Sequence, residues 1–519
     1  MKRILILLLV LSLLLCFGCG KKTDEPEISD AELTPVQDDV TDSIFAINYS
    51  SQDSMNPYST HNQLNQVVTQ LVYDQLIQID EGFQPLPGLF TDWSSEDGIT
   101  WVFHAQLGRL FHDGHALTAD DIVYSINSAK ESDLYAARLR NIADVTAGED
   151  GSITITLGHA NTQFPVLLTL PVIENNAMSY SYPSGTGPYY FGDDYASLHL
   201  FGEHPDAASA PIDTIYLREY SSMEDVINAF DNSDLDLVCN DPTGDSDLSF
   251  SSVSESRQYN TTNLQYIGFN TNSRFFSNPV FRTAMVTAVD RAYDVSLLSD
   301  GAVATALPVH PASPLYDTSM VAAMGYDMNL TASTLTNAKV LDYDGDGERE
   351  YLASEGSTEA TELNLTILVC SDSKQKTAVC TKLASDLRQI GIPMEVRALP
   401  WEDYVAALGE GDFDMFYAEV RLTADFDLTP LLVAGGTMNF GGVSNPIYPD
   451  AIYAYLAADD AHRADACHTM LQTVADNAPI IPVCFEKHEV CAHRGVVGGL
   501  APTQYNIFQN LSDWIINLK

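Results

Sequence analysis

Positive charge is scarce in this sequence: 25 Lys and Arg stand against 71 Asp and Glu, a formal net charge of −46 at pH 7. A surface of that sign repels phosphate backbones and anionic headgroups, so no nucleic acid and no membrane is expected to bind through the folded body. It favours cationic ligands only mildly. Cysteine is scarce too: of eight, Cys16 and Cys19 lie near the N-terminus, and Cys239, Cys370, Cys380, Cys467, Cys484 and Cys491 are spread irregularly. Such spacing is no disulfide framework, and buried free thiols are the expectation. A stretch able to fold back as a hairpin separates Cys484 from Cys491, so that one bridge stays open.

Catalytic motifs are missing as well. There is no Gly-rich phosphate loop ending in Gly-Lys-Ser or Gly-Lys-Thr and no Gly-x-Ser-x-Gly turn. His488 and His493 resemble a zinc-protease pair until the spacing is counted. Five residues apart, they leave a common face on a helix and take opposite faces on a strand, so one metal does not easily take both. His112 and His115 bracket Asp113-Gly114 and read as an exposed hairpin tip. The chain is therefore not expected to be an enzyme, nor to need a cofactor or a resident metal. Asp342, Asp344 and Asp346 alternate before Gly347 like the first half of a calcium loop, but Ala353 stands twelfth, where such a loop needs a bidentate carboxylate, so an acidic turn is expected.

What is present begins at the N-terminus. Lys2 and Arg3 precede an apolar run over residues 4–17 that only Ser12 interrupts, followed by Gly18-Cys19-Gly20. At about 1.5 Å per helical residue the run is too short to cross a ~30 Å hydrocarbon core comfortably, so it reads as an export signal. It resembles a bacterial lipoprotein signal, which is cut before a cysteine that then carries lipid; Gly18-Cys19 fits that cut, although Cys16 stands where an aliphatic residue is usual. Residues 20–42 are polar, acidic and broken by Pro26 and Pro35, a flexible tether with a reach of ~25 Å. The rest is long enough for two or three packed units.

Along the body, residues 43–48 predict a strand and residues 64–79 a helix stopped by Gly82 and Pro85. Residues 99–107 predict a strand, and Thr118 an N-cap with Asp121 at the positive helix end. Asn278-Pro279 predicts another helix start, and residues 264–270 a crossing segment between units. Residues 363–421 alternate strand and helix signals as β-α-β-α-β with parallel strands. Ligands collect at the carboxyl ends of such strands, here residues 370–371, 400–401 and 417–427 along one rim.

Several passages together resemble the family 5 extracytoplasmic solute-binding proteins, the dipeptide, oligopeptide and nickel receptors of ABC importers. The most specific is Trp93 with Asp97-Gly98-Ile99-Thr100-Trp101-Val102-Phe103-His104, then Phe111-His112-Asp113-Gly114 and Leu117-Thr118-Ala119-Asp120-Asp121-Ile122-Val123-Tyr124. Others are Gly185-Thr186-Gly187-Pro188-Tyr189, Tyr266-Ile267-Gly268-Phe269-Asn270, Ala288-Val289-Asp290-Arg291, Gly411-Asp412-Phe413-Asp414 and Asn445-Pro446. The resemblance implies an α/β, two-lobed periplasmic-binding-protein-like fold of the large type II form joined by a hinge. Lobe 1 would span residues 43–265 with an inserted subdomain at about 58–182, lobe 2 residues 266–483, and residues 484–519 would return to lobe 1. It implies a monomeric receptor outside the cytoplasm, anchored through Cys19 to the outer face of the cell membrane, or periplasmic if the host has an outer membrane. Its partners would be a peptide or other small molecule and the permease subunits.

Peptide receptors of that family have a tryptophan followed by an aspartate that pairs with the ligand's amino group. Here the region reads Ala418-Glu419-Val420-Arg421-Leu422-Thr423-Ala424-Asp425-Phe426-Asp427, without the tryptophan, and either Asp425 or Asp427 fills the aspartate's role. Arg421 suits a two-pronged hold on a carboxylate, or an ion pair with Glu419 or Asp425. Trp401, Tyr417 and Phe440 are candidate apolar walls, Asn439 a main-chain contact beside Gly441-Gly442, and Tyr58 a contact from the first lobe. A nickel chelate or a sugar is the alternative cargo and ligand sensing the alternative role; a hydrolase is least favoured.

Overall fold

Residues 363–421 fold as their periodicity dictates. In the computed structural model, strands Leu365–Cys370, Met394–Leu399 and Met415–Arg421 are parallel and are linked by helices Lys374–Gln389 and Trp401–Glu410. The Ser373 side chain caps the first helix by accepting from the Lys376 amide, and Gly411 ends the second at φ 71°, a left-handed conformation that disfavours any residue with a Cβ. The structure describes residues 44–243, 248–298, 301–352 and 360–518. The signal, Cys19, the tether and Ala353 lie outside them. No helix among the described residues is long and apolar enough to cross a membrane.

The three parallel strands form one end of an 11-stranded sheet. Its other end is built from Leu237–Asn240, Phe45–Tyr49, Thr214–Glu219, Ser197–Leu200 and Tyr189–Phe191. Two long antiparallel strands, Ser254–Phe269 and Ile480–His493, lie between the ends and belong to both. Midway their register slips: Asn260 faces Lys487, and the next partners are Leu264 and Phe485. The extra residues Thr261, Thr262 and Asn263 form a bulge, a device that bends and twists a strand.

A separate four-stranded sheet holds Phe90–Ser94, Thr100–Ala105, Ile153–Leu157 and Ile142–Ala147. Its helix Ala119–Glu131 starts as the sequence predicts, with a capping box between Thr118 and Asp121 and with Ile122, Ile126 and Ala129 buried. The helix Pro279–Val286 likewise begins at an Asn278 cap.

Two expectations are corrected. The helix predicted over residues 64–79 ends at Val72, and Ile77–Ile79 is a strand paired with Pro85–Pro87. Ile77 and Ile79 fit a buried face at either period, and pairing decides between them. No hairpin joins Cys484 and Cys491: both lie on Ile480–His493, opposite Gln265 and Ser256, and are free, buried thiols. Seven residues of strand at about 3.3 Å each put them far beyond the reach of a disulfide.

Candidate functional site

The bulge in the crossing strands organises a polar floor. Opposite it stands Glu486, only 2 % exposed, whose main-chain oxygen accepts from Thr261 Oγ1 at 2.7 Å. Gln265 Nε2 donates to Glu486 Oε1 at 2.6 Å and Asn263 Nδ2 to Oε2 at 3.3 Å. Gln265 Oε1 in turn accepts from the Tyr417 hydroxyl at 2.7 Å, and the Tyr404 hydroxyl donates to the Tyr417 carbonyl at 2.7 Å. Glu486, Gln265 and Tyr417 come from three different strands and Tyr404 from a helix, so the bulge cannot move without disturbing this chain.

Two charged groups flank it. Lys376 Nζ meets Glu419 Oε2 at 2.6 Å, and His488 Nε2 lies 3.7 Å from Asp241 Oδ1. Asp241, Glu486 and His488 present donor atoms that all lie within 4.8 Å of one another. His488 Nε2 is buried without a hydrogen-bond partner. Burial, with Glu419 adding to it, pushes the Glu486 carboxyl up to about 8. Burial lowers His488, whereas Glu419 outweighs burial at Lys376 and raises it. The floor thus favours a neutral Glu486 at physiological pH, a state that an incoming cation would reverse.

Arg421 closes the strand Met415–Arg421 opposite Asn263, exposed, with its guanidinium carbon 5.9 Å from the centre of the Tyr505 ring. Among the described residues it meets no carboxylate within ion-pair distance, so neither pairing the sequence left open, with Glu419 or with Asp425, is made. Arg138 lies in its field but is half-buried, donating to Thr169 Oγ1 and the Thr169 carbonyl and stacked 4.8 Å from the centre of the Tyr135 ring, its Nε left without a partner. One guanidinium is held by the protein through its terminal nitrogens, and the other is exposed.

The other sequence candidates separate by their partners. Asp425 is 1 % exposed: its carboxylate accepts from Asn161 Nδ2 at 2.8 Å and Thr423 Oγ1 at 2.5 Å, and its carbonyl from Tyr455. Burial, then Asp427, raises its pKa to about 6. Asp427 pairs with Arg140 at 3.0 Å and accepts from Thr429. Tyr58 is core, its hydroxyl donating to the Pro171 carbonyl. Asn439 holds its own loop through Val433 and Val443, and Phe440 packs on Phe416. Trp401 is 60 % exposed at the start of its helix. Of the candidates, Glu419, Arg421 and Tyr417 therefore gather at the floor. Asp241, Gln265, Lys376, Glu486, His488 and Tyr505 were missed; His488 carried a signal, but its partner is a distant aspartate rather than His493.

The family model described as bacterial extracellular solute-binding proteins, family 5 Middle, matches residues 84–430. Heme-binding protein A of Haemophilus influenzae is 22% identical over 476 residues, covering 80% of this chain and 82% of that protein. Oligopeptide-binding protein AppA of Bacillus subtilis is 22% identical over 390 residues, 69% of each. Among solved structures, the ABC transporter substrate binding protein CtaP from Listeria monocytogenes superposes with a TM-score of 0.73 at 19% identity, covering 92% of this chain and 99% of that one.

Proposed function

Because the chain belongs to the family 5 bacterial extracellular solute-binding proteins, we propose that it is a lipid-anchored receptor that captures peptides for an ABC importer. Its two lobes, with boundaries near residues 265 and 483, close around the ligand by bending at the bulged crossing strands. Gly18-Cys19 supports lipid attachment at Cys19. The observation that carries the peptide reading is the presence of both charge signs on one floor: an exposed Arg421 that meets no carboxylate among the described residues, and the acidic Glu419, paired with Lys376, with Glu486 and Asp241. A free peptide carries both an ammonium and a carboxylate, so it answers both ends. A relative named as an oligopeptide-binding protein agrees with that choice.

Asp425 and Asp427 keep the amino-anchor role only if closure releases them from Asn161 and Arg140. Glu419 would have to leave Lys376 in the same way, and Glu486 to give up Gln265 or Asn263. Trp401, exposed with its ring 6.1 Å from that of Tyr404, is a wall that a ligand would cover.

Calorimetric titration with a peptide library tests the reading. Free-ended peptides should bind, C-terminally amidated ones should bind more weakly, and Arg421→Ala should erase that difference. Failure of every peptide to raise the melting temperature would reject the reading, since a ligand selective for the folded state must stabilise it. Palmitate labelling that survives Cys19→Ser would reject the anchor.

A second reading has an observation of its own. Asp241, Glu486 and His488 offer mixed oxygen and nitrogen donors to one point, which suits a metal chelate as cargo. Binding of chelated nickel in place of peptides would favour it.

A further inference from the structure

Away from the floor, a short three-stranded sheet is made of Val340–Leu341, Glu350–Leu352 and Ala360–Glu362. The turn joining its first two strands reads Asp342-Tyr-Asp-Gly-Asp-Gly-Glu-Arg-Glu350. Carboxylates at the first, third and fifth positions line it, and the glycines at φ +86° and +95° allow the tight reversal. A turn of aspartates alone would be an ordinary acidic loop. The decisive residue is Glu350, ninth in the turn.

Leu341 pairs with Glu350 across the hairpin, and this returns the Glu350 side chain to the turn. It is 4 % exposed, so a carboxylate is almost wholly removed from water. Its Oε2 accepts from the Tyr343 amide at 2.6 Å, but its Oε1 is buried with no hydrogen-bond partner. Among the described residues no cation of the protein answers it. The adjacent Arg349 turns away, donating to the Ile390 carbonyl at 2.7 Å, the Val340 carbonyl at 2.8 Å and Thr336 Oγ1 at 3.0 Å. Burying an orphaned carboxylate oxygen is costly unless a positive charge meets it. One oxygen each of Asp342, Asp344, Asp346 and Glu350 lies within 4.8 Å of all the others.

We infer that Asp342, Asp344, Asp346 and Glu350 form a binding site for a divalent cation of the calcium class. The donors are all hard oxygens, and four carboxylates offer more of them than a small octahedral ion with tightly held water readily accepts, which favours Ca²⁺ over Mg²⁺. No nitrogen or sulfur donor is present to select zinc or nickel. The carboxylate that a calcium loop usually supplies from its twelfth position comes here from the ninth, by strand pairing. The bound ion would fasten the hairpin beside the turn between helix Lys374–Gln389 and strand Met394–Leu399, which the Arg349 amide already touches by donating to the Gly391 carbonyl at 2.7 Å.

Terbium titration of the purified full chain, with emission excited through tyrosine, tests this because Tyr343 lies inside the turn. One Tb³⁺ should bind, Ca²⁺ should displace it, and Mg²⁺ should do so at least 10-fold less effectively. Calcium affinity is expected in the range of extracellular modules, Kd ~10⁻⁴–10⁻³ M. Asp344→Asn, at an exposed position, should weaken Ca²⁺ at least 10-fold, keep the calcium-free melting temperature, and abolish its rise with calcium. Glu350→Gln should do the same to binding, and if it fails to fold, Asp344→Asn and Asp346→Asn decide. Absence of saturable binding, or binding that both aspartate variants leave intact, overturns the inference.

Discussion

Two acidic groups, residues 425–427 and the floor around Glu419 and Glu486, are built from the same chemistry but differ in what surrounds them. At 425–427 the protein meets the carboxylates itself, through Asn161 and Thr423 at Asp425 and Arg140 at Asp427. On the floor Glu419 meets Lys376, Glu486 two amide donors and Asp241 Thr243, but His488 Nε2 is buried without a partner beside them and Arg421 is exposed with no carboxylate in ion-pair distance among the described residues. A carboxylate whose valences the fold has filled stabilises the fold. One left short of partners is available to something else.

The strongest way to break this comparison is Asp425→Ala. It strands Asn161 Nδ2 in the interior, so urea unfolding should show a loss of about 3 kcal/mol. Peptide affinity should change little; a large affinity loss in a stably folded variant would make Asp425 a ligand anchor after all.

Glu486 gives the next largest effect, through pH. Its folded pKa of about 8 lies above the ordinary value of 4.5, so the native state holds a proton that the unfolded chain releases between these values. Stability from this group is present below about pH 4.5 and is lost as pH rises through 8, by ~2 kcal/mol between about pH 6 and 8. Chemical denaturation across that range should show the decline for the wild type and a flatter curve for Glu486→Gln. Equal slopes would mean that the floor carboxylate is charged and satisfied.

Arg421→Ala sharpens the contrast from the ligand side. Loss of a charge-assisted contact should weaken free-ended peptides at least ~10-fold, about 1.4 kcal/mol, with the melting temperature unchanged. Arg140→Ala should matter least. The pair it breaks is partly exposed, and such pairs contribute ~0–1 kcal/mol, so only a small fall in stability is expected in the same denaturation assay.

Much of the architecture could be read from local pattern. The 363–421 unit alternates period 2 with period 3.6, and its strands and helices fall within a residue or two of expectation. Thr118 and Asn278 mark helix starts by side-chain geometry that needs no distant partner. Ile77 and Ile79 lie on a strand rather than in the predicted helix, because apolar spacing over so few residues fits either element. Cys484 and Cys491 were allowed a bridge because spacing does not reveal that one unbroken strand holds both.

The site was legible only in part, for a related reason. Glu419, Arg421 and Tyr417 belong to one strand whose carboxyl end had to face a cleft, so topology pointed to them. Lys376, Asp241, Gln265 and Glu486 are ordinary polar residues in their own segments. They become a site only where four chain segments converge on the bulge.

The sequence by itself determined the export signal pattern, the acidic surface, the α/β pattern and the family, because each rests on composition, local periodicity or contiguous motifs. The tertiary structure decided which carboxylates are spent. Whether Asp425 is met by Asn161, whether Glu486 is buried opposite the bulge, and whether Glu350 turns back into an aspartate turn depend on strand register and on partners up to hundreds of residues away, and burial then fixes the cost of leaving a charge unmet.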